Sequence, residues 1–488
     1  MNRPTPSPRI PLSLASYLGA AVALIPGCFD PTITVGSDAG TDGSESSGAT
    51  EEDASSSTGI DPDSSDDATI AICGDGIVEG DEQCDDELND GSYGHCLPDC
   101  TALGPHCGDG VINGEEPCDD GDEVDGNGCN VDCVVSGSVL WTVTYDGPDH
   151  ESDSPSALTV DSNDNIIVAG VTSSSDISGI WLAKYDTSGE QIWQTSQYAH
   201  NGDSRAYDVA VTSNDDIIVV GSTTNPTDEN NTDIWIRMYD STGDSKWTRT
   251  HDGAMSKTDT AFSVDTDASG NIYIGTSEDN TSIYRIQKYT SEGDELWSVI
   301  SPSTALDDLD VTPAGTINIS ARKGTPQHWT PVIANLTTDG TLEWSREYNE
   351  YAPGWFNSIS TNAHGNIALP LNRQGESAAR ILELTMQGDE VWSTELSEEN
   401  NHASVVLIDD VGNIVTTGNW DSDKTLWVTK YQPDRSIAWI DTYNGEESFF
   451  GFDQGRDVAT DSQNNVIVAG IIDTGTLHYD IWMRKYAP

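Results

Sequence analysis

Residues 136–147 read SGSVLWTVTYDG, and this stretch has the form of the end of a repeat whose body is missing. Six later segments close in the same way: GEQIW (189–193), GDSKW (243–247), GDELW (293–297), GTLEW (340–344), GDEVW (388–392) and RSIAW (435–439). Each of those six follows a full repeat body. GSVLW (137–141) follows a cysteine-rich region instead.

The body is a unit that recurs every 47 to 54 residues. One copy reads ALTVDSNDNIIVAG (157–170) and then IWLAKYDTSGEQIW (180–193); the last reads RDVATDSQNNVIVAG (456–470) and then DIWMRKYAP (480–488). Runs such as IIVAG and WLAKY are short, β-branched or aromatic, and bounded by turn residues, which is the pattern of strands. DSNDN, DASGN and DDVGN suit tight hairpins. Each unit therefore has four strands: a (ALTVD), b (NIIVAG), c (IWLAKYD) and d (GEQIW). Four strands at this period make a propeller blade. Strand c occurs seven times, and strand d occurs seven times only if GSVLW is counted. The final unit stops after strand c, so GSVLW supplies its missing strand. The expected fold is all-β: a seven-bladed propeller over 137–488, with 28 strands, closed by three C-terminal strands and one N-terminal strand. Closure brings Trp141 alongside Trp482 and removes a sheet edge that would invite aggregation.

The repeats resemble bacterial β-propeller families with the signature DSxGNxYVxG…KxDxxG over nearly all of 137–488. They are also similar in part to the quinoprotein-type blade with its D-x-x-x-G-x-x-x-W docking motif, although Asp186–Gly189 is one residue shorter. Sialidase-type Asp boxes are absent, and no free catalytic acid set is legible. Seven of the fourteen tryptophans (141, 193, 247, 297, 344, 392 and 439) mark strand d, and four more (181, 235, 427 and 482) open strand c. Residues present in every unit maintain the unit, so these indoles are expected to pack blade on blade.

Upstream, the chain changes character. The whole sequence carries 83 acidic against 21 basic residues, a net charge of −62. No Lys or Arg lies between Arg9 and Lys184. That charge excludes nucleic acid as a partner and disfavours a bare anionic membrane surface. The first 27 residues have a basic start (Arg3, Arg9) and a short apolar run, the pattern of an export signal. LIPGC, ending in Cys28, resembles the lipobox of bacterial lipoproteins, which implies lipidation of Cys28 and an anchored protein at the bacterial outer membrane, cell surface or periplasm. Otherwise an ordinary signal is cleaved and the protein is secreted. Residues 28–72 are rich in Ser, Asp, Gly and Thr with almost nothing apolar to bury, as expected of a disordered acidic linker.

Residues 73–133 hold two copies of one cysteine pattern: Cys73, Cys84, Cys96 and Cys100, then Cys107, Cys118, Cys129 and Cys133. Intervening spacings are 10, 11 and 3, then 10, 10 and 3. So few aliphatic residues cannot hold a fold without covalent closure. Eight cysteines pair, leaving Cys28, and three pairings per copy stay open. The pattern is similar to the Cys-rich repeat of myxobacterial surface proteins. Close pairs of CxxxC form in an exported chain argue against zinc. DDGDEVDGNG (119–128) offers Asp120, Asp122 and Asp125 as calcium ligands, but without EF-hand spacing; a solvated acidic turn is the default, and no other cofactor is expected.

Strand alternation puts the short a–b and c–d turns on one face and the variable b–c and d–a loops on the other, where binding develops on a rigid scaffold. Candidate residues there are Asp149, His150, His200, Arg205 and His251, the aromatic run 347–356, and Phe449, Phe450 and Phe452. The favoured function is a tethered, monomeric binding platform for a protein or polysaccharide, with the membrane reached through the lipid anchor alone. The alternatives are an enzyme on a propeller scaffold, a quinoprotein-like oxidoreductase or a carbohydrate-active hydrolase or lyase, and a purely structural envelope protein.

Overall fold

A computed structural model describes residues 71–488, apart from 115, 123, 175–176, 200–201, 254–256, 279–282, 304, 326–327, 353, 374–378, 397–400, 421–424, 446–452 and 475–477, and apart from the side chains of 229, 230, 355, 373, 401 and 420. Cys28, the signal segment and the linker up to residue 70 lie outside the described residues.

Seven antiparallel sheets follow one another around a ring. In blade 1 the strands are a (Ser154–Val160), b (Ile166–Ser174), c (Ile177–Tyr185) and d (Gln191–Tyr198). Blade 7 takes a (Gln454–Thr460), b (Val466–Asp473) and c (Tyr479–Tyr486) from the C-terminal end and d (Val139–Tyr145) from just after the cysteines. The last two pair antiparallel from Val139↔Tyr486 to Tyr145↔Ile481. Within this ladder Trp141 stands opposite Lys485, and Trp482 stands opposite Thr144. The two indoles expected side by side therefore sit apart, because antiparallel register places the start of strand d against the end of strand c. A single 3-10 turn, Asn349–Tyr351, is the one helical element among the described residues. No helix of the described residues is long and apolar enough to cross a membrane.

There are 29 strands rather than 28, because strand a of blade 5 is split into Gly354–Phe356 and Ser360–Thr361. Opposite the gap lies Pro370, on a strand that otherwise pairs Phe356 with Leu371 and Ser360 with Ala368. Proline has no N–H to give to a ladder, so pairing fails there.

Hydrophobic residues cluster between blades rather than in one centre. Each of seven clusters draws on two neighbouring blades, as where Ile167 and Leu182 of blade 1 meet Val209 and Trp235 of blade 2. Strands b and c are buried on both faces, so they read as continuous apolar runs, whereas strand d alternates at the rim. The strand-c indoles Trp181, Trp235 and Trp482 are within this core. The strand-d indoles do something different. Trp193 packs over Gly243 in the c–d turn of the next blade and donates from Nε1 to the Ser241 carbonyl at 3.3 Å. Trp141, Trp247 and Trp297 repeat the contact on Thr187, Ser291 and Thr338. In blade 6 a cation replaces glycine: Arg435 takes the left-handed conformation (φ 72°) and lies over Trp392.

A second recurring device is a buried lysine on strand c. Lys184 meets Asp161 at 2.7 Å, and Lys485 meets Asp461 at 2.7 Å, with both partners almost fully buried. Each aspartate also caps its own a–b turn, accepting from Asn165 or Asn465 four residues on. The D-x-x-x-N and K-Y pieces of the repeat are thus two halves of one polar contact.

The cysteines pair in nested fashion, Cys73 with Cys100 around Cys84 with Cys96, and Cys107 with Cys133 around Cys118 with Cys129. Inside each copy a carboxylate organises the CGDG turn. Asp119 accepts from the N–H groups of Gly108, Asp109, Gly110 and Gly121. Asp85 does the same in the first copy, and hydrogen bonds from the backbone N–H of Glu87 first, then Gly74, hold it at about 2. The second copy docks on the ring at its short-turn face: Gly126 accepts from Gln432 Nε2 at 3.1 Å, Ala487 N donates to Ser138 O, and Gly137 lies against Trp439.

Candidate binding site at the channel mouth

Strand a is the innermost strand of each blade. In six blades its ladder with strand b slips by one residue near its start, skipping Ser156, Tyr207, Phe262, Asp307, Ser404 and Arg456. In blade 5 Asn357 takes the same place, in the gap of the split strand. A bulge re-aims the side chain it carries. All seven of these side chains line the axial channel. Read around the ring they are Ser, Tyr, Phe, Asp, Asn, Ser and Arg, so no two neighbouring blades present the same group.

One residue deeper the chain builds a fastening belt. Asp208 accepts from its own neighbour Val209 N and, at 2.6 Å, from Val264 N of the next blade. Asp457 does so for Leu158 and Asp308 for Ile359; Ser358 accepts from Val406. Deeper again, Asp265 accepts from Val311 N at 2.6 Å. The channel therefore gathers Asp208, Asp265, Asp307, Asp308, Asp310 and Asp457, a convergence the sequence gives no means to see. Enclosure by protein pushes all six upward. Asp265, Asp307 and Asp457 rise to about 7 and Asp308 to about 6. Asp208 and Asp310 are raised well above the ordinary carboxyl value, for the same reason and because other channel carboxylates lie close.

Above the belt the channel widens into a cavity of about 710 Å³. Its wall is rich in hydroxyls, among them Ser154, Ser156, Ser173 and Ser404, together with Asn357 and Gln454. Three guanidiniums border it: Arg205, Arg322 and Arg456. Arg322 is committed, pairing with Asp307 at 2.7 Å and lying over Trp329. Arg456 keeps its guanidinium charge at any physiological pH.

The expected site residues distribute unevenly. Arg205 lies in the cavity wall. His150 is exposed on the loop into blade 1 and hydrogen-bonds Asp146 at 2.5 Å, which pushes the imidazole up. Asp149 accepts from Ser174 on the same loop face. His251 ends strand d of blade 2 opposite Ile234. His200, Phe449, Phe450 and Phe452 lie outside the described residues. Asp120, Asp122 and Asp125 each hold a separate backbone N–H, those of Cys129, Val124 and Val131. A different trio, Asp233, Asp252 and Asp259, brings carboxylate oxygens within 4.8 Å of one another and has the donor chemistry for a divalent cation. The acidic d–a loops also contain an unanticipated clamp. Asp153 accepts from Gly147 N and Ser173 N, and Asp453 accepts from Gly445 N and Asp473 N. Its sequence trace is a D-G or N-G followed six to eight residues later by Asp, as in YDGPDHESD (145–153).

Fold and channel together define a seven-bladed β-propeller carrying an N-terminal disulfide module. No family model and no curated protein matches the chain. Among solved structures, it is similar to a protein from Lactobacillus plantarum, with 14% identity, a TM-score of 0.43, and coverage of 63% of this chain and 91% of that one. It is also similar to prolyl oligopeptidase B from Galerina marginata in its apo form, with 12% identity, a TM-score of 0.40, and coverage of 67% of this chain. The chain spans about half of that enzyme, 47% of its length.

Proposed function

We propose that this is an exported, surface-tethered binding protein. It is anchored through a lipid on Cys28, spaced by the acidic segment 28–72, and it holds a protein or polysaccharide ligand on the loop face of its propeller. It would belong with myxobacterial-type Cys-rich lipoproteins bearing bacterial propeller repeats. One observation carries this reading: seven bulge residues of differing chemistry, one from each blade, converge at one channel mouth, on the face away from the docked disulfide module. The channel carboxylates, the natural candidates for an enzyme's acid and base, accept hydrogen bonds from blade-to-blade N–H groups, which favours a fastening role over a catalytic one. Four disulfides fit an oxidising compartment outside the cytosol.

Two measurements test the reading. Palmitate labelling of the protein expressed in a bacterial host should be lost in Cys28→Ser. The mature chain, applied to glycan and protein arrays with and without calcium, should bind a ligand that is lost on Tyr207→Ala. A ligand unaffected by substitutions at the mouth would overturn the platform.

A further inference from the structure

The net charge of −62 makes cations scarce, and most of those among the described residues are committed. Arg285, Arg346, Arg380, Arg435 and Arg484 are paired with carboxylates, as is Arg322. Arg237 and Arg249 hydrogen-bond neighbouring oxygens and lie over tryptophans. Among the described residues, Arg205 and Arg456 are the guanidiniums with neither an ion pair nor a hydrogen bond. Both are exposed, and both open into the same cavity at the channel mouth. They come from different blades, 2 and 7, and Arg456 is a bulge residue, so this meeting depends on ring closure.

An unpartnered guanidinium in so acidic a chain has no shortage of carboxylates to pair with. Two left open in one cavity, with Arg322 a third positive group against the single wall carboxylate Asp307, make a positive island in a negative molecule. We propose that the mouth binds a saccharide bearing a single carboxylate, its acid group held by Arg205 and Arg456. This rests on the platform reading above and names its ligand class. The serines of the wall, with Asn357 and Gln454, match a polyhydroxylated ligand rather than apolar peptide side chains. Tyr207 offers an exposed ring to the face of a sugar. Planar, two-pronged guanidinium donors match a carboxylate. Repulsion by the overall field disfavours a densely charged polymer. Sparse charge on a neutral chain meets both constraints.

The test is calorimetric titration of the full mature chain with a tetrasaccharide carrying one glucuronate, beside the same tetrasaccharide with that carboxyl reduced. The uronate form should bind at least about tenfold tighter than the reduced form. Arg456→Gln and Arg205→Gln should each remove about that factor and leave Tm unchanged, since neither side chain holds the fold together. Lys257→Gln, a cation outside the cavity wall, should leave Kd as it was. Equal binding of the two forms, or affinity unmoved by both arginine substitutions, overturns the ligand class. The platform survives that result if Tyr207→Ala still abolishes an array ligand, and falls if it does not.

Discussion

Asp457 shows how one side chain in this ring is loaded. Its carboxyl fastens blade 7 to blade 1 through Leu158 N, yet enclosure and the nearby Asp308 hold it protonated up to about 7. Asp265 and Asp308 behave alike. Between roughly pH 4 and pH 7 the folded ring keeps protons that the unfolded chain, with an ordinary carboxyl value of 3.8, has released. Stability therefore falls as pH rises through that window. Tm should climb when the pH is lowered from 7.5 to 5, and Asp457→Asn should flatten the climb; a slope identical to wild type would contradict the protonated belt. Gly243 is the second telling position. It holds φ at 89°, and a Cβ there would come within 3.0 Å of the Trp193 ring. Gly243→Ala should cost about 1–3 kcal/mol in thermal unfolding. The strand-d tryptophans were legible as packing residues because they recur. The bulge ring was not, since a one-residue slip of register leaves no mark on composition or alternation. It needed the pairing partners.

Strand d of blade 7 is an element whose meaning lies entirely in its partner. Val139–Tyr145 has alternating exposure and little to bury alone, but it covers the edge of Tyr479–Tyr486 and carries Trp141 onto blade 1. Arg484 ties the two strands through Thr142 and lies over Tyr443 and Trp482, joining blades 6 and 7 at the seam. Val143→Pro would remove an N–H and stiffen the strand in its middle. We expect Tm to drop by roughly 5 °C or more, with concentration-dependent association as the bared edge finds other chains. Size-exclusion chromatography at two concentrations reads this directly. Blade 5 supplies the contrast: with Pro370 opposite, its inner strand tolerates a break that the ring absorbs through the Asp308–Ile359 fastening. Counting strand-like segments predicts the blade well but cannot see such a break, because the sequence of strand a does not name what faces it.

The whole molecule joins two parts held by different physics. The propeller is stable through seven interblade apolar interfaces, and the cysteine module through bridges closing loops of 11 to 27 residues. Each such bridge contributes about 3 kcal/mol or somewhat more by constraining the unfolded chain. Reduction should therefore open residues 73–133 to protease while tryptophan fluorescence of the ring holds; simultaneous loss of both would show that the docked contacts at Gln432 and Trp439 are part of the ring's stability. By itself the sequence determined the blade count, the swapped closing strand and the cysteine-built module, because repetition and spacing are written along the chain. Only the tertiary structure decided the nested disulfide pairing, the belt of enclosed aspartates and the two unpaired arginines at one mouth. Those depend on which residues of distant blades reach the axis together, and closure of the ring sets that distance, not position along the chain.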